Sequence, residues 1–361
     1  MSADGALFVS ARPRLTVNGQ PATFLERDLI RLEVTEDDTG LARLEAVFLN
    51  WGAREGSAVD YVHFDTSEID FGAAIRVAFD GGSGAIEVFA GTVTALGGTY
   101  PELRAPEFML RAEDDLARAR IRRSGRVAEQ GSDADAARNV ADALGLRADV
   151  TIDAPSREQV AQAGAADLAH LRRQAERADA PLVLRDGVLR LRPRSQTDGP
   201  PIALSRLNQL IRFEVHADLA QQRSAVRVRG WDIDGGEAIE EEAGSDAARA
   251  ASEGAGRLGP DVAADVWQEA VEEIQLAAPA TSAEARSLAE AAMRRRARGF
   301  VSGRGVARGD PRLRATSRVE LADLGRYFDG VYEITAVTHG FDQVNGYRTG
   351  FDCVRATLGG A

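Results

Sequence analysis

Residues 73–96 read AAIRVAFDGGSGAIEVFAGTVTAL. Ile75, Val77 and Phe79 recur at every second position, so an extended chain puts all three on one face. Four residues at 81–84 supply a glycine-rich turn, and Ile86 and Val88 begin the return strand. The same design surrounds it. RLTVNGQPATF at 14–24 carries Asn18-Gly19, a pair that tolerates positive φ and suits a tight hairpin. LIRLEVTEDDTGLARLEAVFLNW at 29–51 reads as two strands around Asp37 to Gly40. Strands at this spacing predict a sandwich or barrel over the first hundred residues.

Composition narrows the chemistry. Among 361 residues, 44% are hydrophobic and 28% charged, enough for two to four domains with buried cores. All 44 basic residues are arginine, which excludes a Walker-type phosphate loop, a Schiff-base lysine and a lysine general base. A lone cysteine, Cys353, makes neither an internal disulfide nor a thiolate-rich metal site. No apolar run approaches the roughly 20 residues of a membrane helix, and the start MSADGALFVSARPR lacks the basic-then-apolar order of a signal peptide. Synthesis and assembly in the cytoplasm, without membrane insertion, is the expectation. A net charge of −12 disfavours specific nucleic-acid binding. Within the arginine cluster at 118–126, Arg118, Arg120 and Arg122 alternate with Ala119 and Ile121, which predicts one solvated strand face.

The texture changes after residue 106. Ser132 and Asp135 cap a predicted helix whose buried face is Ala137, Val140 and Leu144 and whose stop is Gly145. A second helix, 167–178, carries Leu168, Leu171, Ala175 and Ala178 on one stripe, with His170 off it and read as exposed. A hairpin at Asp186-Gly187 and the linker-like SQTDGPP at 195–201 close this α/β unit. Strands return in LIRFEVHADL and SAVRVRGWDI, where His216 has no partner near it in sequence. Residues 236–280 read as a loop with a short helix inside 261–274, and Thr281 and Glu284 as the capping box of a helix that buries Ala285, Leu288 and Ala292.

Two motifs match by letters only. GAGRLG at 254–259 resembles a dinucleotide fingerprint, but no strand precedes it and Pro260 follows where a helix is required. RGD at 308–310 reads as a turn before Pro311. His339 and Cys353 lie on the two arms of a hairpin turned by Asn345-Gly346. Val337 and Phe341 share the face of His339, and Tyr347, Thr349 and Phe351 that of Cys353. A working Cys–His pair also needs an orienting third group and an oxyanion pocket, so His339 is expected to make a structural hydrogen bond at a barrel rim. No catalytic, cofactor-binding or metal-ligating residue is assigned, and no cofactor.

VFAGTVTAL at 88–96 and YFDGVYEITAVTHGF at 327–341 share a pattern: Phe89, Gly91 and Val93 before Thr94-Ala95-Leu96, and Phe328, Gly330 and Tyr332 before Ile334-Thr335-Ala336-Val337. With a two-residue insertion, Gly91 falls on Gly330. The expected fold is mainly β with an inserted α/β unit (α+β): two tube-like antiparallel β-barrels related by duplication. The expected divisions are 1–105 for the first barrel, 106–200 for the α/β domain, 201–240 with 298–361 for the second barrel, and 241–297 for a loop and helical excursion.

These stretches, with SAEARSLAEAAMRRRARGFVSGRGVARGDPRL at 282–313 and GYRTGFDCVRA at 346–356, resemble the phage late control D family, which includes contractile-tail hub proteins and the N-terminal part of VgrG spike proteins. The resemblance runs in order over nearly the whole chain. It implies a non-enzymatic baseplate hub of a phage tail or extracellular contractile injection particle, assembling as a trimeric ring. The ring would adapt a hexameric tail tube to a trimeric spike and line part of the central channel. Implied partners are further copies of itself, the tail-tube protein, a spike protein and baseplate wedge components. Because the sequence stops at CVRATLGGA, the spike is expected on a separate polypeptide. A channel wall of like charge would repel DNA or an acidic cargo. The alternative is a cell-wall-acting or glycan-binding enzyme of the same particle, which would need two facing carboxylates.

Overall fold

The computed structural model describes residues 12–53, 58–64, 69–124, 127–153, 155–196, 199–232, 235–252, 256–275, 279 and 281–359. The first strands are β1 (Arg14–Val17), β2 (Leu29–Asp37), β3 (Arg43–Leu49), β4 (Ala74–Asp80), β5 (Ala85–Thr99) and β6 (Glu107–Glu113), with a short helix α1 (Thr23–Asp28) before β2. They pair in the order β2-β3-β6-β5-β4-β1. As predicted, Ile75, Val77 and Phe79 are buried along β4, and Asn18 and Gly19 take φ of 49° and 80° to turn the first hairpin. Leu15, Val34, Phe48, Phe79 and Phe108 fill the core between these strands.

The next segment holds α2 (Leu116–Ile121), α3 (Asp133–Leu144), β7 (Arg147–Val150), α4 (Asp167–Ala178), β8 (Leu182–Arg185) and β9 (Val188–Leu191). β9 lies between β7 and β8, and α3 and α4 bury Ala137, Val140 and Leu171 in a second core. Ser132 and Asp135 form the predicted reciprocal cap. Two expectations are corrected. Residues 118–121 are helical, because Leu116 and Ala119 lie three apart and both face the core; residues 125 and 126 of the cluster lie outside the described residues. His170 is buried, with Gln174 Nε2 3.0 Å from its Nε2, because α4 is also covered on flanks beyond its apolar stripe, by α2 and by a later helix.

The main elements that follow are β10 (Ile202–Ser205), β11 (Leu210–Ala217), β12 (Ala225–Asp232), β13 (Glu237–Gly244), α5 (Ser245–Ala250), α6 (Gly259–Trp267), β14 (Val271–Ile274), α7 (Ser282–Arg298), β15 (Val301–Arg308), β16 (Arg318–Ala322), β17 (Gly330–Asp342) and β18 (Gly346–Arg355). β12 pairs with β13 and β14, and α7 covers this small sheet through Ala285, Ala289 and Met293 against Val226 and Val228. Part of 236–280 is therefore sheet, not loop. The Thr281 side chain accepts from the Glu284 amide at 3.2 Å, but the Glu284 carboxylate turns to Arg177. A helix does follow GAGRLG, contrary to expectation, since Pro260 sits in the first turn of α6, where its missing N–H costs nothing. Gly256 packs against the backbone of Gly359, and 253–255 lie outside the described residues.

β10, β11 and β15–β18 pair in the order β11-β15-β18-β17-β16-β10, which repeats β2-β3-β6-β5-β4-β1 in the same chain order. The registers repeat as well. A bulge skips Thr94 where β5 meets β6, and another skips Thr335 where β17 meets β18. Ile30 is skipped between β2 and β3, and Ile211 between β11 and β15. The flanking sequences are LIRLEV (29–34) and LIRFEV (210–215), identical at five of six positions. Counting from the bulges places Phe89, not Gly91, at the level of Gly330, and no insertion is needed. One relationship differs: β1 runs antiparallel to β4, β10 parallel to β16.

Among the described residues, strand pairing does not close either half into a separate barrel. The edge of β2 that closure would require is taken instead by the C-terminal part of β17, with Val34 opposite His339 and Asp37 opposite Ala336. All these strands, with Gln20–Pro21, make one sheet of 13 strands, antiparallel except for β10 on β16.

Candidate functional site

The joint between β2 and β17 is where the polar chemistry collects. His339 is not at a rim. It is fully buried, its Nδ1 shares a 2.8 Å hydrogen bond with the Tyr347 hydroxyl, and the Tyr347 ring stacks on Phe79 with centroids 3.7 Å apart. Burial, with the Arg314 charge nearby, pushes the imidazole down to about 3. A base that weak stays neutral and takes no proton from a thiol at ordinary pH. Cys353 lies opposite Ile334, four residues along β18 from the partner of His339, or about 13 Å by strand rise. It is buried in the core of the second half, and burial pushes its thiol up. The two residues are packing elements of different cores.

Beside His339, Glu36 is held by Arg314 through bonds of 2.6 and 2.8 Å and by the Ala315 amide at 2.7 Å. Burial alone would raise this carboxyl, but the Arg314 charge brings it to about 2. Arg194 is the second anchor. It bonds Asp38 at 2.6 Å and Glu333 closely, with Asp179 3.9 Å away, and Asp179 is itself forked by Arg298 at 2.7 and 2.9 Å. This network joins β2, the α/β unit, α7 and β17. Sequence reading missed it, since its members are scattered from 36 to 333; what was available was the LIRLEV and LIRFEV pair, which flags β2 as one copy of a repeated strand.

A cavity of about 890 Å³ lies between the α/β unit, α7 and the strands β17 and β18. Four carboxylates line it: Asp179 and Glu333 are bound by Arg298 and Arg194, Glu290 lies 3.5 Å from Arg294, and Asp153 stands in the wall beside Ile152. Asp114, whose carboxyl burial pushes up to about 7, accepts from the Ala42 and Leu116 amides at 2.9 Å and caps a turn. Asp310 of the RGD turn is buried and bound by Arg312 at 2.7 Å. His216 pairs with Ser302 Oγ across β15 at 3.1 Å, and His63 with Asp28 at 3.2 Å. The paired carboxylates of the cavity, and Asp114, Asp310, His216 and His63, each have a partner within the fold.

The surface offers more. Trp51, Tyr61, Phe64 and Tyr100 form a cluster with successive ring centroids 5.4 to 6.2 Å apart, each ring at least 40% exposed. Leu207 and Ile211 are exposed at the start of β11. Both groups put exposed apolar side chains at strand ends.

Known structures share this architecture. The 43 kDa tail protein of prophage MuSo2 from Shewanella oneidensis superposes with a TM-score of 0.70 at 14% identity, over 96% of this chain and 99% of that one. A tail protein from Neisseria meningitidis MC58 gives 0.70 at 13%, over 96% and 97%. The E. coli c3393 protein, a component of the type VI secretion system with structural similarity to the bacteriophage T4 tail proteins gp27 and gp5, gives 0.56 at 11%, over 95% and 76%. The fold is thus one shared with phage tail proteins. Residues 56–343 match the family model of the Alg8 N-terminal domain, and the chain belongs to that family. No curated protein matches it.

Proposed function

We propose that this chain is a structural hub subunit of a contractile tail, in a phage or an extracellular injection particle. It acts as a homotrimer that joins a hexameric tail tube to a three-fold spike around a central channel. The carrying observation is the repeated pairing order, with bulges at Thr94 and Thr335 in corresponding places. Two tube-like β-modules per chain, related by duplication, give six similar modules in a trimer, and six meets the symmetry of the tube while the trimer meets that of the spike. The division into two β-modules, an inserted α/β domain and a helix-covered excursion accords with four separate hydrophobic cores. A structural rather than enzymatic role accords with the fold shared with tail proteins and with the arginine pairing of Asp179 and Glu333 in the cavity. The test is the mass of the purified protein alone and with its particle partners. Three copies recovered with a tube protein and a spike support the reading; a stable dimer in every setting, or a free protein with no particle association, overturns it.

A further inference from the structure

The joint inside the chain leaves its counterpart unmade. β17 runs past β16 and lays residues 336–342 along β2. Its equivalent, β5, runs past Thr92 in the same way, yet among the described residues Ala95 to Thr99 pair only with β6. The equivalent of β2 is β11, and its only described sheet neighbour is β15. Burial follows the missing partner. Leu32 and Val34 on β2 are 2% and 0% exposed, while the corresponding Phe213 and Val215 on β11 are only partly buried. Val337 is buried, and Leu96, its counterpart, is only partly so. Unpaired edges of this kind are templates for another strand.

We infer that the two edges pair with each other between copies of this chain, β5 of one subunit adding to β11 of the next, in the register of the internal joint. This rests on the hub reading and supplies its subunit contact. Carrying β17 onto β5 and β2 onto β11 by the bulges turns the pairs Ala336–Asp37 and Gly340–Glu33 into Ala95–Asp218 and Thr99–Glu214. The contact is antiparallel, head-to-tail and the same from copy to copy, the kind that closes into a ring. The ends of the two edges agree. Tyr100, exposed beyond β5, falls opposite Phe213 and beside Ile211, which is 49% exposed, whereas its counterpart Ile30 at the internal joint is partly covered. The aromatic cluster around Tyr61 and Phe64 thus continues into the proposed contact.

Directly opposite residues bring Cβ atoms about 5 Å apart, close enough for a disulfide. The full-length protein carrying Thr99→Cys and Glu214→Cys, oxidised and run under denaturing conditions, is expected as a covalent three-chain species. Co-expressed single variants should stop at two chains. Glu33→Cys with Gly340→Cys is the internal control and should close within one chain. Thr99→Cys with Arg212→Cys, displaced by two residues, should link at least tenfold less. If the first pair does not fold, Gly97→Cys with His216→Cys asks the same question one step along the joint. A protein of trimeric mass whose internal control closes but whose subunits link only in the displaced register, or not at all, overturns the inference and leaves the hub reading standing. A chain that stays monomeric by mass at every concentration and with particle partners overturns both.

Discussion

Arg314 and Glu36 meet in a two-bond fork of 2.6 and 2.8 Å although 278 residues separate them. Arg314 precedes β16 in the second half and Glu36 stands on β2 in the first, so the pair fixes how the halves sit. Both side chains are largely buried. Arg314→Ala would remove both fork bonds and leave the buried Glu36 with only the Ala315 amide and Arg185, 3.7 Å away, and the expected loss is about 3 kcal/mol, while Arg314→Met with Glu36→Leu should cost less. Urea unfolding of the two variants checks this. Equal losses would mean that the pair does not bind the halves.

A titration follows from the buried His339 and Asp114. His339, at about 3 in the fold against an ordinary 6.5, costs stability as pH falls from 6.5 toward 3, because the unfolded chain binds the proton and the folded one does not. Asp114 has the opposite sign. At about 7 against 3.8, it gains a proton in the fold first, so its contribution is fully present below 3.8 and is lost as pH rises to 7. From pH 6.5 to about 4.5 the two nearly cancel. Asp114→Asn should therefore expose a fall of about 1.4 kcal/mol per pH unit on acidification, and His339→Gln a rise of similar slope. Below 4.5 Glu36, lowered to about 2, adds a further acid loss. Parallel stability–pH curves for the parent and both variants would refute the assignment.

The strands were legible wherever one face is buried and the other wet, as along β4, and the helices where a cap and an apolar stripe coincide, as from Ser132 to Gly145. What failed did so for identifiable reasons. An alternation of arginine with Ala119 and Ile121 suits a strand, but Leu116 and Ala119 also suit a helix, and the core beneath α2 decided. His170 lies off the apolar stripe of α4 yet is buried, because the helix is packed on more than that stripe. The repeat is legible in the sequence, but its register is carried by the bulges at Thr94 and Thr335, not by the glycines. The ionic joint was illegible because its partners are brought together only by long-range pairing.

Cys353 gives a simple probe of the second core. Its side chain is 1% exposed and its thiol is raised by burial, so the native protein should not react with a thiol reagent at pH 8 over hours, and should react at once in denaturant. Labelling under native conditions then reports opening of the sheet between β15 and β17. Rapid native labelling would contradict the packing described for this strand, and would reopen a chemical role for the residue.

The last prediction concerns how the two halves fill the same space with different residues. At one level of the first half, Leu32, Ala46 and Leu110 lie side by side on β2, β3 and β6; the corresponding row of the second half is Phe213, Gly305 and Phe351. Phe213 and Phe351 stack with centroids 6.2 Å apart, Phe351 over Gly305 and Phe213 over Gly303. A Cβ on Gly305 would stand 2.4 Å from Phe351 Cζ, so the missing side chain is what admits the larger rings. Gly305→Ala should accordingly cost about 1–3 kcal/mol through overpacking. Adding Phe351→Leu restores the first half's combination of alanine beside leucine, and the double variant should be more stable than the sum of the two single losses predicts. Chemical denaturation of the four proteins measures the coupling. Strict additivity would show that the rows are filled independently, and would remove packing complementarity as the reason for the glycine.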